Sequence, residues 1–119
     1  MKFALEDIDM DGQLQRTAIA AYAGSADLGE ALATARRVSP GDYDSWYAAW
    51  AALAEKTAHR ADASARHGHG VTAAKAYLHA TEYWRQAIFF IRHDLDDPRL
   101  LKGWRAHRAA FRRALPLLP

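Results

Sequence analysis

Helical periodicity runs through almost the whole sequence, and this pattern leaves little room for a β-sheet. Alanine is abundant, β-branched residues are few and scattered, and no stretch alternates apolar with polar residues as a strand would. Half of the 119 residues are hydrophobic and a quarter are charged, which is ordinary for a globular domain with its own core. The sequence therefore predicts an all-α fold.

Turn residues divide the helical pattern into five segments. The predicted helices cover residues 12–23, 26–38, 43–67, 72–92 and 98–115. Clusters of glycine, serine and proline separate the first four, and Asp97 followed by Pro98 suits the start of the fifth. Because short connections favour antiparallel neighbours, we expect one compact antiparallel bundle that forms a single domain.

Apolar residues at helical spacing predict which helix faces are buried. The third helix has one such stripe, formed by Trp46, Trp50, Leu53 and Thr57. The fourth helix is apolar on more than one side, so we expect it to be central. The fifth helix carries its bulky apolar residues on one face, which we expect to point inward: Leu100, Leu101, Trp104, Phe111 and Leu115.

The formal net charge of +2 is unevenly distributed along the chain. Residues 1–44 hold eight acids and four bases, whereas residues 92–119 hold seven bases and three acids. Opposite poles of this kind can pair within a fold, between copies or with a partner. Because the overall balance is even, the sequence does not favour a nucleic-acid partner.

Composition disfavours several further classes. The chain has no cysteine, which excludes a disulfide, a zinc thiolate site and a cysteine nucleophile. No apolar run approaches the roughly 20 residues that a membrane span needs. Acidic residues follow directly after Leu5, where a signal peptide would stay apolar. We therefore expect a cytoplasmic protein without a membrane partner.

The sequence contains no catalytic motif of a hydrolase. None of its four serines lies in a GxSxG nucleophile elbow, and there is no phosphate-binding glycine loop and no HExxH motif. His67 and His69 flank a glycine, but no nearby acid completes a metal site, and a helix-terminating turn explains them better. We predict neither a metal nor a cofactor.

Two residues of the fourth helix are candidates for proton transfer. His79 lies one turn before Tyr83, beside apolar rings that can shift the pKa of an imidazole, although a half-exposed histidine on a helix flank is the simpler interpretation. The third and fourth helices also carry more bulky rings than their packing needs, so some can line a pocket for a small apolar molecule. These pocket candidates are Trp46, Tyr47, Trp50, Tyr77, Trp84, Phe89 and Phe90.

Three arginines follow one face of the last helix. Arg105, Arg108 and Arg112 lie at i, i+3 and i+7. A solvated face opposite the acidic N-terminal segment is the simpler interpretation, and a docking surface is the sharper alternative.

Several short segments occur in the order and spacing of a known domain. They are Tyr22–Glu30, Gly41-Asp42, Ser45-Trp46-Tyr47, Trp50, Gly68-His69, Val71-Thr72-Ala73, Ala76-Tyr77-Leu78, Tyr83-Trp84, Ala87 and Phe89-Phe90. From about Tyr22 to Leu115, the chain resembles the N-terminal helical lid of α/β-hydrolases. The resembling group contains 2,6-dihydropseudooxynicotine hydrolase and the fermentation-respiration switch esterase.

This resemblance implies a helical cap over a catalytic domain, a share of the substrate-pocket wall and often a dimer contact. The catalytic triad of such enzymes lies downstream of the lid, and no position here matches it. Three residues depart from the family pattern. Lys75 stands where an acid is expected three residues after a Thr72 cap, His79 where an arginine is usual, and Ile88 where an acid is usual.

Three functions remain open on this basis. A lid that works with a separate hydrolase-type chain would leave a large exposed apolar patch on the third and fourth helices. A stand-alone small enzyme or binder, of cyclase or isomerase type, would act on an apolar natural-product-like molecule. The start at Met1 and the complete fifth helix favour such a short protein. A helix-hairpin interaction module is the third alternative, and a homodimer is a further expected assembly.

Overall fold

The computed structural model describes residues 2–119 and consists of helices connected by short turns, with no strand in that range. The helices are α1 (Ile8–Tyr22), α2 (Leu28–Ala35), α3 (Tyr43–Arg66), α4 (Gly70–Ile88) and α5 (Pro98–Ala114). Short 3₁₀ turns follow α4 at Phe89–Ile91 and α5 at Leu115–Leu117. The prediction of an all-α bundle of five helices is therefore confirmed.

Helix ends differ from the predicted ranges where side chains cap them. Helix α1 begins four residues early, because the Asp7 carboxylate accepts hydrogen bonds from the backbone N–H groups of Asp9 and Met10. Helix α2 is shorter than predicted, since Asp27 caps it and accepts from the Glu30 N–H at 2.8 Å. Helix α4 begins at Gly70 without a side-chain cap, so Thr72 lies inside the helix and is not its cap.

Helix α4 is the centre of the bundle, as its two-sided apolar pattern predicts. It packs along α3 on one side and along α5 on another, and it also contacts α1. The shared core joins α1, α2, α3 and α4 around Trp46, Trp50 and Tyr83. Trp46 also donates its indole N–H to the backbone carbonyl of Gln86 at 2.7 Å, which fixes the start of α3 against the end of α4.

Helix α5 packs against α4 through small residues. Gly103, Ala110 and Ala114 are its buried positions, and a Cβ atom added at Gly103 would lie 2.2 Å from Cγ2 of Ile88. The predicted inner stripe of Leu101, Trp104, Phe111 and Leu115 is therefore wrong, since these residues are exposed. The close approach of the two backbones leaves no room between them for bulky side chains.

A buried carboxylate holds the N-terminal segment against α1. The side chain of Asp11 accepts backbone hydrogen bonds from Phe3, Ala4 and Leu5 at 2.6, 2.7 and 2.8 Å, and one from the Gln15 amide. Burial alone would raise the pKa of Asp11, but these donors together outweigh burial and lower it from 3.8 to about 2. The segment before α1 thus depends on an ionised Asp11.

We expect Asp11→Asn to lower the free energy of unfolding by about 1–2 kcal/mol at neutral pH, because an amide accepts fewer backbone hydrogen bonds than a carboxylate. The folded-state pKa lies below the unfolded one, so the stabilisation is complete above pH 3.8 and disappears as the pH falls to about 2. Urea denaturation of both proteins across this range measures the effect. A difference that is constant with pH would contradict this role of Asp11.

Candidate docking and ligand-binding face

Most of the aromatic residues that the sequence offers as pocket candidates lie in the interior. Trp46, Trp50, Tyr77 and Trp84 are buried, and the Tyr77 hydroxyl donates to the Asp62 carboxylate at 2.5 Å. Tyr47 is half-buried beneath the guanidinium of Arg99. These rings have structural partners here, and their role in a ligand pocket stays a prediction.

Two of the candidates, Phe89 and Phe90, line a surface groove of about 460 Å³ beside the start of α1. Phe90 stacks on Tyr43 with ring centroids 4.5 Å apart, and Arg92 covers the Phe89 ring at 3.8 Å. The groove is open, and the rings at its edge are already covered by neighbours. This groove therefore offers little free apolar surface to a ligand.

Tyr83 holds the connection between α1 and α2. Its hydroxyl accepts a hydrogen bond from the Asp27 backbone N–H and donates one to Oε1 of Glu30, both at 2.9 Å. Burial raises the pKa of Tyr83, and the neighbouring Glu30 carboxylate adds to the rise. The hydroxyl therefore keeps its proton and acts as an anchor for the turn that precedes α2.

His79 holds the same connection one turn earlier in α4. Its Nε2 lies 3.1 Å from the backbone oxygen of Gly24, and because a carbonyl only accepts, Nε2 carries the proton. Burial lowers the pKa of His79, opposed by the Gly24 carbonyl and by the Glu30 carboxylate. The two proton-transfer candidates thus lie together, and both bind backbone atoms of the α1–α2 turn.

We expect Tyr83→Phe to destabilise the fold by about 1–2 kcal/mol, because the substitution leaves Asp27 N–H and Glu30 without their shared partner. Chemical denaturation followed by tryptophan fluorescence measures the loss. Tyr22→Phe is the matched control, since Tyr22 is almost fully exposed, and it should leave stability unchanged. Equal stability of the two variants would show that the Tyr83 hydroxyl is not an anchor.

Helix α5 presents a continuous apolar stripe to solvent. Leu101, Trp104, Phe111 and Leu115 are between 44% and 51% exposed, and helical spacing places them on one face with Arg108. On the opposite side of α5, Lys102 and Arg113 approach Glu55 and Asp62 of α3 at 3.4 and 3.8 Å. The stripe therefore faces away from α3.

Three cations border this stripe. Arg105, Arg108 and Arg112 form no ion pair within residues 2–119, and Arg108 lies over the Trp104 ring at 5.3 Å. All three arginines are exposed, in agreement with the solvated face that the sequence predicts. Uncompensated charge beside exposed apolar rings is typical of a surface that meets a partner.

A second apolar surface lies at the start of α4. A groove of about 460 Å³ lies between the start of α4 and the end of the chain. Its apolar walls are Val71, Ala74, Leu78, Leu117 and Leu118, and Lys75 is its one charged side chain. We define the α4–α5 face as this groove together with the exposed stripe of α5. The large exposed patch expected on the third and fourth helices is not found there, since Tyr43 and Val71 are the only large apolar side chains of α3 and α4 that are exposed.

The inward use of small residues is the signal that the sequence interpretation missed. Gly103, Ala106, Ala110 and Ala114 recur at i, i+3, i+7 and i+11, which is a second stripe on the same helix. Bulky residues outside and small ones inside reverse the usual pattern of an amphipathic helix. A buried stripe of small residues together with an exposed stripe of bulky apolar residues on α5 is therefore the pattern that indicates an external partner.

Comparison with known proteins gives the chain relatives of one kind. Hydrolase acrC of Aspergillus aculeatus is 39% identical over 103 residues, covering 87% of this chain and 24% of the relative. A 20-hydroxy-prefusarin hydrolase of Gibberella moniliformis is 40% identical over 93 residues, covering 78% and 22%. The α/β-hydrolase xenA of Xenoacremonium sinensis is 34% identical over 108 residues, covering 91% and 25%.

The chain is homologous to part of these fungal hydrolases. It spans about a quarter of the length of the curated relatives it matches. No protein-family model matches it, and no solved structure matches it significantly. These relatives support the prediction that the chain is related to a segment of hydrolases. Its resemblance to the particular group that contains 2,6-dihydropseudooxynicotine hydrolase stays a prediction. No helix within residues 2–119 of this segment is long and apolar enough to cross a membrane.

Proposed function

We propose that this chain is a lid-type helical domain that covers an α/β-hydrolase catalytic domain and supplies one wall of its substrate pocket. The observation that carries the proposal is the outward stripe of α5. Homology to one segment of fungal hydrolases supports the same role, because the chain matches only about a quarter of each relative and contains no GxSxG nucleophile motif. The chemistry then belongs to the covered domain.

The stripe supports docking because its exposure is costly for an isolated domain. Four bulky apolar side chains along about four helical turns form a surface that water solvates poorly. Burying such surface contributes about 25 cal/mol per Å², so covering it would yield several kcal/mol of association energy. A helix that packs on its own bundle through glycine and alanine keeps these side chains available for a partner.

The unpaired arginines indicate the chemistry of the partner surface. Arg105 and Arg112 lie beside Trp104 at the surface, where they would form the rim of an interface. Rim cations favour a partner surface that carries carboxylates, since complementary charge steers association and fixes orientation. The proposed docking surface on the catalytic domain is therefore apolar at its centre and acidic at one edge.

The contacts of His79 and Tyr83 agree with a structural role in the lid. Both hold the α1–α2 turn through hydrogen bonds to backbone atoms, and the Tyr83 ring is fully buried. The Tyr83 hydroxyl and His79 Nε2 are occupied by these structural partners, so neither is free to meet a substrate. We therefore assign them a positioning role in the lid and leave hydrolysis to the residues of the catalytic domain.

A chimera tests the docking function. The segment of hydrolase acrC that matches this chain would be replaced by residues 2–119, and the turnover of a chromogenic ester would be compared with that of the parent. We expect measurable hydrolysis by the chimera. Trp104→Glu combined with Phe111→Glu should reduce it at least ~10-fold, because two buried unpaired carboxylates oppose docking.

The matched control carries the same number of new charges on another exposed apolar surface. Ile8→Glu combined with Ile19→Glu alters two exposed residues of α1, which lie outside the α4–α5 face. This chimera should retain activity within about twofold of the unmodified chimera. Equal losses in the two double variants would contradict docking through α5, as would full activity of the Trp104 and Phe111 variant.

A further inference from the structure

Lys75 lies on the ridge between two grooves of different character. On one side is the apolar groove lined by Val71, Leu78 and Leu118. On the other side, a groove of about 470 Å³ between α3 and α4 is lined by Lys75 with Thr72, Ser64 and Arg60. Lys75 is the one charged residue that borders both. A flexible ammonium group is thus placed where an aliphatic groove meets a groove that also contains hydroxyl, guanidinium and imidazole groups.

The charge of Lys75 has no partner in the described part of the chain. No hydrogen bond or ion pair to its Nζ exists within residues 2–119, whereas the neighbouring Arg60 is held by the Glu30 carboxylate at 2.7 Å. His79, on the same side of α4, donates to Gly24 and has its pKa lowered by burial, so it competes little for an anion. Lys75 is therefore the available cation at the junction of the grooves.

The apolar groove has the size and lining of a small-molecule site. Its volume of about 460 Å³ falls within the roughly 300–1,000 Å³ of typical ligand pockets. Five of its lining residues are aliphatic, and none of its lining side chains is acidic. A ligand that fills this groove must present mostly hydrocarbon. A single negative group at one end of the ligand could pair with the ammonium group of Lys75, the one cationic side chain of the lining.

We propose that the apolar groove binds an amphiphilic carboxylate, with the hydrocarbon part between α4 and the segment Leu117–Pro119 and the carboxylate at Lys75 Nζ. The inference deepens the proposed function, on which it rests for its biological meaning, by naming the substrate class of the covered enzyme. The Thr72 hydroxyl, one turn before Lys75 on the polar side, is placed to donate a second hydrogen bond to the anion.

Two physical effects favour this ligand over a neutral or cationic one. The aliphatic walls gain free energy from any alkyl chain, so they do not distinguish head groups. The ammonium group adds a charge-assisted hydrogen bond to a carboxylate, gives a neutral hydroxyl much less and repels a cation. Head-group selectivity is therefore the signature of the proposed site, and chain length alone is not.

Binding of decanoate, decanol and decyltrimethylammonium to the 119-residue chain tests the inference by isothermal titration and by NMR shifts, below the concentrations at which these amphiphiles form micelles. We expect decanoate to bind at least ~10-fold more tightly than either of the other two. The Lys75→Glu variant should lose this preference, and the selectivity should weaken as salt is raised.

Two further variants keep the result independent of folding. Lys56→Glu makes the same charge change at an exposed lysine that lines neither groove, and it should leave decanoate binding within about twofold of wild type. Leu118→Asp alters the groove wall beyond the last helix, where the fold is not at risk, and should weaken decanoate binding several-fold. Circular dichroism confirms that each variant stays helical.

Equal affinity for the three amphiphiles, or an equal effect of the Lys75 and Lys56 variants, would overturn the proposal. Failure of decanoate to bind below about 1 mM would overturn it as well. These measurements use the chain without a catalytic domain, whereas the docking function is tested by chimera activity. Failure of one is thus distinguishable from failure of the other.

Discussion

Replacing Trp46 by alanine is expected to remove about 3–5 kcal/mol from the free energy of unfolding. The indole is fully buried, meets Trp50 and Phe90 at centroid distances of 5.6 and 5.1 Å, and donates to the Gln86 carbonyl. Alanine leaves a large cavity where α3 meets α4 and removes one of the two hydrogen bonds that the Gln86 carbonyl accepts, the other coming from the Phe89 N–H. Since small domains have about 5–15 kcal/mol in total, this one substitution would remove a large share of the stability.

Trp104→Ala is the matched control, because it removes the same side chain from the outside of α5. Trp104 is about half exposed and faces solvent in the isolated chain, so we expect a loss below ~1 kcal/mol. Urea denaturation followed by far-ultraviolet circular dichroism compares the two variants without relying on tryptophan fluorescence. Similar losses in both would mean that Trp104 is packed in the core, contrary to the structure.

Gly103→Ala should destabilise the protein by about 1–2 kcal/mol, although alanine is the better helix former. The new Cβ atom would lie 2.2 Å from Cγ2 of Ile88 and 3.6 Å from Cε3 of Trp84. Overpacking of this kind costs about 1–3 kcal/mol, and a β-branched side chain yields little by rotation. The loss therefore outweighs the gain in helix propensity.

The sign of this effect should reverse when Ile88 is shortened. In an Ile88→Ala background, the clashing methyl group is absent, and Gly103→Ala should stabilise the protein by up to about 1 kcal/mol through helix propensity. Chemical denaturation of wild type, both single variants and the double variant provides the cycle. A Gly103→Ala effect of the same sign and size in both backgrounds would exclude the steric explanation.

The sequence predicts the architecture well because the signals for helices are local. Periodic apolar residues define α3 and α4, and their predicted stripe through Trp46, Trp50 and Thr57 is buried as expected. The helix ends were less accurate. Asp7 and Asp27 set the true starts of α1 and α2, and competing acidic residues nearby make the choice of cap ambiguous from sequence alone.

The orientation of α5 could not be obtained from the pattern of large residues. Trp104, Phe111 and Leu115 form the more apolar stripe, and a rule that places apolar residues inside selects them. Packing depends instead on the distance between backbones, which Gly103 brings close to Ile88. That distance is a property of two helices together, and its trace in the sequence is the stripe of small residues at Gly103, Ala106, Ala110 and Ala114.

The candidate site shows the same limit. Proximity of His79 to Tyr83 was predictable, because they lie one turn apart on α4. Their partners, Gly24 and Asp27, lie more than 50 residues earlier in the chain and come into contact only through the tertiary fold. Lys75 stood out as a departure from the family pattern, but the two grooves that meet beside it required coordinates.

The exposed stripe of α5 contains residues that the fold of the isolated chain does not need but that the proposed docking does need. A mutational scan scored by cellular abundance of the chain would accept polar residues at Trp104, Phe111 and Leu115. The same scan scored by ester turnover in a hydrolase chimera would reject them. The positions that tolerate substitution in the abundance scan but not in the turnover scan would identify the residues of the interface, without any structure of the assembled enzyme.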